Sequence, residues 1–312
     1  MSFLVELPQE LFPADALDGL EIMSDYKLEN AQAMMWMSQL AYETAHEGKV
    51  NDILKAWKLT KLEFGSKNSV TGLQPKSARF VIAEGHGAEG HGATIVTFSG
   101  TDPIEIEDWI TDFTVAPKLD VLHQGFEDAV ETVWPKIKTT IESRPAGQPL
   151  FFTGHSLGGA LALIAAERAL RESRIQAMAV YTFGGPRVGG QTFFKRYAPL
   201  GERTFRLVNG GDIVPTVPPN LGGNFRHVGR AIQCPIDGIF ETPPAMMSSD
   251  ENQPDFVESL LRSALADLAK FPAFRLPRIG PGLLGLSIGA LPEILRDHVP
   301  RSYFRALSIP VE

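Results

Sequence analysis

One cysteine in 312 residues excludes an internal disulfide and leaves too few thiols for a cysteine-held metal. Cys234 reads instead as a small buried apolar residue. Long apolar runs are missing as well. No stretch approaches the roughly 20 residues a bilayer-spanning helix needs. The amino terminus, Met1 to Pro8, lacks the basic start and apolar run of a secretory leader. A soluble protein is therefore expected from the chain as given, with the cytoplasm favoured. Positive charge is also short. Lys and Arg number 29 against 37 Asp and Glu, a formal net charge of −8, which disfavours a nucleic-acid partner. There is no internal repeat or low-complexity tract, and no metal or organic cofactor is implied. Oligomeric state stays open.

What is present is a globular composition, 44% hydrophobic, long enough to bury a large core. Residues 30–47, rich in methionine around Met34–Met37, predict a helix packed into that core, with His46 on it. Arg79–Ala83 and Ala93–Phe98 predict strands, joined by a glycine-laden hairpin whose His86 and His91 are too mobile to suggest a metal. A helix over about 125–143, a strand over Pro149–Thr153 and a helix over Ala160–Arg171 follow. Met178–Phe183 and Thr204–Val208 are strand-like, and His227 falls on a further predicted strand. Strands alternating with helices predict an α/β fold, with a mostly parallel sheet covered on both faces. The last third differs. After a polar link at 248–254, apolar residues from Val257 to Leu268 recur at the spacing of an amphipathic helix. An apolar stretch broken by glycine and proline runs from Leu276 to Pro292. Two readings stay open for it: ordinary packing, or a flap that exposes apolar surface at a lipid interface.

The chemistry centres on Gly154-His155-Ser156-Leu157-Gly158-Gly159. A Gly-x-Ser-x-Gly pattern alone arises by chance about once in ten chains of this size. Here an apolar strand runs into it and a strong helix leaves it, which is the strand–turn–helix context of a nucleophile elbow. Such a turn presents Ser156 Oγ at a helix amino terminus, whose free N–H groups stabilise negative charge.

Five further segments accompany the elbow in order. They are Phe98-Ser99-Gly100-Thr101 with Asp108–Asp112; His123-Gln124-Gly125-Phe126; Thr182–Gly189; Val208-Asn209-Gly210-Gly211-Asp212-Ile213-Val214-Pro215; and Asp297-His298 with Tyr303. With them the chain resembles the class 3 lipases, α/β-hydrolases related to the fungal lipases, from about 30 to 233 and again from 297 to 307. The resemblance implies a single α/β-hydrolase domain over 1–312, with 238–294 as a helical, cap- or lid-like insertion longer than the fungal pattern has. It implies Ser156 as nucleophile, His298 as the base that takes its proton and Asp212 as the acid that orients the imidazole. Asp237 and Asp297 are the rival acids, and neither has the Asn209-x-x-Asp212-Ile-Val-Pro context. Among rival bases, His155 belongs to the elbow and points away from Oγ, His123 is structural and His227 is packed or hydrogen-bonded.

By the same resemblance the oxyanion donors are the backbone N–H groups of Leu157 and Thr101, with the Thr101 hydroxyl as a third. Trp109, Ile213 and Val214 are assigned to substrate contact, and 102–112 is a lid or a fixed helix. The activity implied is hydrolysis of carboxylic esters, acylglycerols above all, with a lipid or ester as substrate and transient contact with a lipid interface. The alternatives are a hydrolase-fold binding module without catalysis, or a phospholipase or acyltransferase using the same three residues.

Overall fold

The protein was analysed as a computed structural model that describes residues 5–68, 77–85, 92–101, 124–218, 225–241, 246–247 and 293–310. Among the described residues, eight strands form one sheet in sequence order. The first three, β1 (Leu59–Asn68), β2 (Ser77–Gly85) and β3 (Thr94–Phe98), run antiparallel to one another. From β3 the sheet turns parallel through β4 (Leu150–His155), β5 (Ala179–Phe183), β6 (Thr204–Asn209) and β7 (Arg230–Cys234). The short β8 (Met246–Met247) closes the far edge antiparallel.

The inner strands are apolar throughout because both faces of the sheet are covered. Side chains alternate between faces with the two-residue period of a strand. Ile95 and Phe151 enter one core, while their neighbours Val96 and Phe152 enter the other. The second of these cores lies under α3 (Gln124–Glu142) and α4 (Leu157–Ser173). Every residue of α4 from Leu157 to Ala169 is buried, and its many alanines let the helix lie close against the sheet. The opposite core lies under α1 (Leu28–Leu40) and α2 (Glu47–Ala56), with the terminal α7 (Pro300–Ala306) beside them. There Trp36 packs on Phe304 with ring centroids 4.4 Å apart, so the carboxy-terminal segment is fastened to the amino-terminal helix. Two short helices complete the order, α5 (Gln191–Tyr197) and α6 (Glu293–Arg296).

Several expectations are corrected. The helix predicted over 30–47 ends at Leu40, continues as one 3-10 turn over Ala41–Glu43, and is followed by the separate α2. His46 accordingly precedes α2 and is not on the early helix. His227 precedes β7, in extended chain outside it. The strand β1 and the helix α2 were not anticipated. Of the 238–294 region only 238–241, 246–247 and 293–294 are described, where β8 extends the sheet and α6 begins at Glu293; the rest of the expected insertion lies outside the described residues. The predicted 255–268 helix, the 276–292 stretch, His86, His91, Trp109 and His123 lie outside the described residues, as does the 102–112 segment. Among the described residues no helix is long and apolar enough to cross a membrane, and no group of three His, Cys, Asp or Glu could hold a metal ion.

Candidate functional site

The parallel strands end together on one side of the sheet, and the chemistry gathers at those ends. Ser156 follows the last residue of β4 and caps α4 with φ 59° and ψ −129°, a left-handed backbone that a non-glycine residue adopts only under constraint. The constraint is backbone contact on both sides of the turn. A Cβ on Gly154 would lie 2.2 Å from the Gly158 carbonyl oxygen, and one on Gly158 would lie 2.2 Å from that of Phe98. Only glycines let β3, β4 and α4 approach this closely. The Ser156 N–H is tied to the Phe183 carbonyl of β5 at 2.8 Å.

From this turn a run of hydrogen bonds leads away. Ser156 Oγ lies 2.8 Å from His298 Nε2. His298 Nδ1 lies 2.9 Å from both carboxylate oxygens of Asp212. A carboxylate can only accept, so Nδ1 carries the proton and the bare Nε2 accepts from the serine. Asp212 sits just beyond the end of β6 and also accepts from the Val214 N–H at 2.9 Å and the Tyr303 hydroxyl at 2.6 Å. All three residues are buried, Ser156 and His298 to 1% exposure each. Burial, and then the Asp212 carboxylate beside it, push the Tyr303 hydroxyl well above its ordinary pKa, so it stays a donor. Gly184, at φ +60°, lies beneath this group; a Cβ there would be 2.5 Å from Asp212 Oδ2 and 3.0 Å from His298 Nδ1. A hydroxyl bonded to a neutral imidazole whose far nitrogen is held by a carboxylate is equipped to give up its proton while attacking an electrophile.

The remaining predicted residues fall as follows. Leu157 opens α4, where first-turn N–H groups have no partner within the helix. Thr101 lies three residues past the end of β3, and its Oγ1 is buried with no hydrogen-bond partner among the described residues. Ile213 and Val214 are buried in the core under α3 and α4. Asp297 does not face an imidazole; its Oδ2 accepts from the Gly211 N–H at 2.8 Å. Asp237 is exposed and pairs with Arg305. His155 turns away from Ser156, bonding Tyr42 and the His298 carbonyl. His227 is buried with Nε2 on the Pro215 carbonyl at 2.7 Å. In the sequence Tyr303 stands out only as part of a motif, and Tyr42 only falls within the first predicted helix. The pairs Tyr303–Asp212 and Tyr42–His155 are 91 and 113 residues apart, so no local pattern could have linked them.

A mostly parallel sheet between helices, with these three side chains at its carboxyl ends, defines an α/β-hydrolase fold. Residues 95–222 match the lipase (class 3) family profile. Over that stretch the chain is similar to the class 3 lipases. A secreted mono- and diacylglycerol lipase of Fusarium solani is 35% identical over 133 residues, 40% of this chain and 39% of that protein. A lipase of Rhizomucor miehei is 34% identical over 147 residues, 43% of this chain and 40% of that one. The matches thus span about two fifths of these curated relatives. A solved triacylglycerol lipase, whose catalytic centre is described as a serine protease triad, is 25% identical. It aligns with a TM-score of 0.57 over 75% of this chain and 89% of that one.

Proposed function

We propose that the protein hydrolyses carboxylic esters of the acylglycerol type through an acyl-enzyme on Ser156. The observation that carries this reading is the bond of 2.8 Å between Ser156 Oγ and a His298 ring whose other nitrogen is held by Asp212. In the first half-reaction Ser156 Oγ attacks the ester carbonyl carbon as its proton passes to His298 Nε2. Asp212 stabilises the imidazolium. The carbonyl oxygen takes the negative charge between the N–H groups of Leu157 and Thr101, and the unpartnered Thr101 hydroxyl adds a third donor. Collapse expels the alcohol, which takes the proton from Nε2, and leaves the acyl group on Oγ. Water then repeats the sequence, giving its proton to Nε2, releasing the acid and restoring the serine.

The named activities of the relatives favour acylglycerols as substrate. Ile213, next to Asp212, is assigned to acyl contact by the resemblance alone, and Val214 donates its N–H to Asp212 at 2.9 Å.

The test is release of p-nitrophenol from a medium-chain ester, with labelling by a serine-directed phosphonate. Wild type should show a burst and label at Ser156, and Ser156→Ala should lose about 10⁴-fold or more in kcat. A wild type that neither turns over nor labels would overturn the reading and favour a binding module. Acyl-chain profiles with and without an emulsion then separate an interfacial lipase from an esterase for soluble substrates. Phospholipid vesicles as a further substrate distinguish a phospholipase.

A further inference from the structure

His155, the last residue of β4, is buried beside the reacting groups yet takes no part in the chemistry just proposed. Its Nε2 is 2.7 Å from the main-chain oxygen of His298, and its Nδ1 is 2.8 Å from the Tyr42 hydroxyl. The carbonyl can only accept, so Nε2 carries the proton. Nδ1 is then bare and accepts from the tyrosine. One neutral tautomer satisfies both bonds, with Tyr42 as the donor to Nδ1. Burial first, and the His298 imidazole second, hold the His155 ring well below its ordinary pKa, so it stays neutral. The groups facing it are Tyr42 from the link between α1 and α2, and His298 and Tyr303 from the carboxy-terminal segment, with ring centroids 4.8 Å and 5.5 Å away for the latter two. The Arg79 guanidinium of β2 stands 5.9 Å over the Tyr42 ring.

We propose that His155, set by Tyr42, is a positioning residue that fixes the backbone of His298 relative to the nucleophile. The proposal rests on the reading of Ser156 and His298 given above. His155 and Ser156 are consecutive in the chain, and β4 lies between β3 and β5. The carbonyl of the base is therefore tied to the same strand that presents the hydroxyl, one residue away from it. Errors in the Oγ to Nε2 distance that would accumulate over a sequence separation of 142 are cancelled by this short tie. Tyr42 is itself tightly seated. A Cβ on Gly100, at the proposed oxyanion turn, would come 2.3 Å from its hydroxyl and 2.8 Å from Ser156 Cβ. From the other flank, Asn209 Nδ2 donates to the Asp297 carbonyl at 3.0 Å, so the main chain of the base is held on both sides. Misplacement of a reacting group by about 1 Å can cost roughly 10²-fold in rate, which sets the scale of what this tie protects.

The test compares three variants with wild type on a soluble p-nitrophenyl ester. His155→Leu should lower kcat by about 30- to 100-fold and slow phosphonate labelling of Ser156 in parallel, with KM within about twofold. His155→Gln, whose amide N–H reaches the same carbonyl, should recover most of that loss at an unchanged thermal midpoint. Tyr42→Phe, which removes only the hydroxyl, should lose about 5- to 10-fold. A role confined to packing would cost stability, not turnover, and would not distinguish Gln from Leu. The proposal is overturned if His155→Leu keeps kcat within twofold of wild type, or if His155→Gln is no better than His155→Leu at equal stability. Should His155→Leu fail to fold, an unchanged kcat in Tyr42→Phe overturns it alone. An active wild type with indifferent variants sinks only this proposal, whereas a wild type that neither turns over nor labels sinks the functional reading beneath it.

Discussion

Ser156 stands on a turn whose shape is set by backbone contacts among Phe98 of β3, Gly154 of β4 and Gly158 of α4. His298 belongs instead to a terminal segment reached from elsewhere; it donates Nδ1–H to Asp212 and its carbonyl accepts from His155, 86 and 143 residues earlier. Close-packed backbone has no alternative arrangement of similar energy, so the serine side of the site is rigid by construction. A hydrogen-bonded tie contributes only about 1 kcal/mol net, or roughly 1.5–3 kcal/mol where a charge is involved, so the histidine side depends on several such ties acting together. Substitutions that delete single donors should therefore act almost wholly on the base.

The sharpest way to separate the two sides is Asp212→Asn. The amide would donate toward His298 Nδ1, reversing the tautomer and pointing an Nε2–H at Ser156, which then has no base to accept its proton. A loss of about 10⁴-fold in kcat is expected, with the backbone around Gly154 and Gly158 undisturbed. A crystal structure of the variant and its kcat together check this. Near-normal turnover would mean that the proton leaves Ser156 by another route.

A smaller effect is expected at Tyr303, which donates to Asp212 Oδ2 while accepting from the Asn209 N–H. Tyr303→Phe leaves the carboxylate with the His298 ring and the Val214 N–H. It should cost about 1.5–3 kcal/mol in stability and lower kcat roughly tenfold. Because burial and Asp212 keep the wild-type hydroxyl protonated well above its ordinary range, no alkaline loss of activity should arise from its ionisation. Denaturant unfolding and a pH–rate profile test both statements. A variant as fast as wild type would show that two donors suffice to hold the acid.

The same contrast explains what could be read in advance. The turn at Ser156 is local: an apolar strand, two glycines and an alanine-rich helix occupy residues 149–171, so propensity and pattern agree with the fold. Asp212 and His298 were found only through resemblance, because nothing in their spacing requires a meeting. The strand β1 escaped for a physical reason. It lies at the sheet edge, carries Lys61 and Glu63, and has a register irregularity between them that breaks the two-residue alternation. The helix α2 buries only Val50, Ile53 and Leu54, too short a stripe to stand out. The early helix was drawn too long because Tyr42 and its neighbours stay buried through the 3-10 turn that follows it, and apolar content alone does not mark the change of winding. His227 follows Asn224-Phe225-Arg226 in a stretch that reads as a strand, although the ladder starts only at Arg230.

The mildest test reaches both regions through pH. His155 belongs to the tie on the base, and His227 lies under the loop that follows Asp212, bonded to the Pro215 carbonyl. Both rings are held well below their ordinary pKa by burial, helped by the His298 imidazole for His155 and by Arg206 and Arg187 for His227. Once pH falls through about 6.5, the unfolded chain binds protons at these positions and the native chain refuses them. Stability is then complete above that pH and declines below it, by about 1.4 kcal/mol per pH unit for each imidazole. Glu43, pushed up by burial, works the other way: the native state takes its proton earlier than the unfolded chain does, which offsets part of the decline near the ordinary carboxylate range. Denaturant unfolding between pH 7.5 and 5.5 should show the slope, and His227→Gln should remove one imidazole's share of it while leaving that of His155. A flat profile over this window would mean that the buried rings accept protons in the native state, with His155 Nδ1 then donating to the Tyr42 oxygen in place of accepting from it.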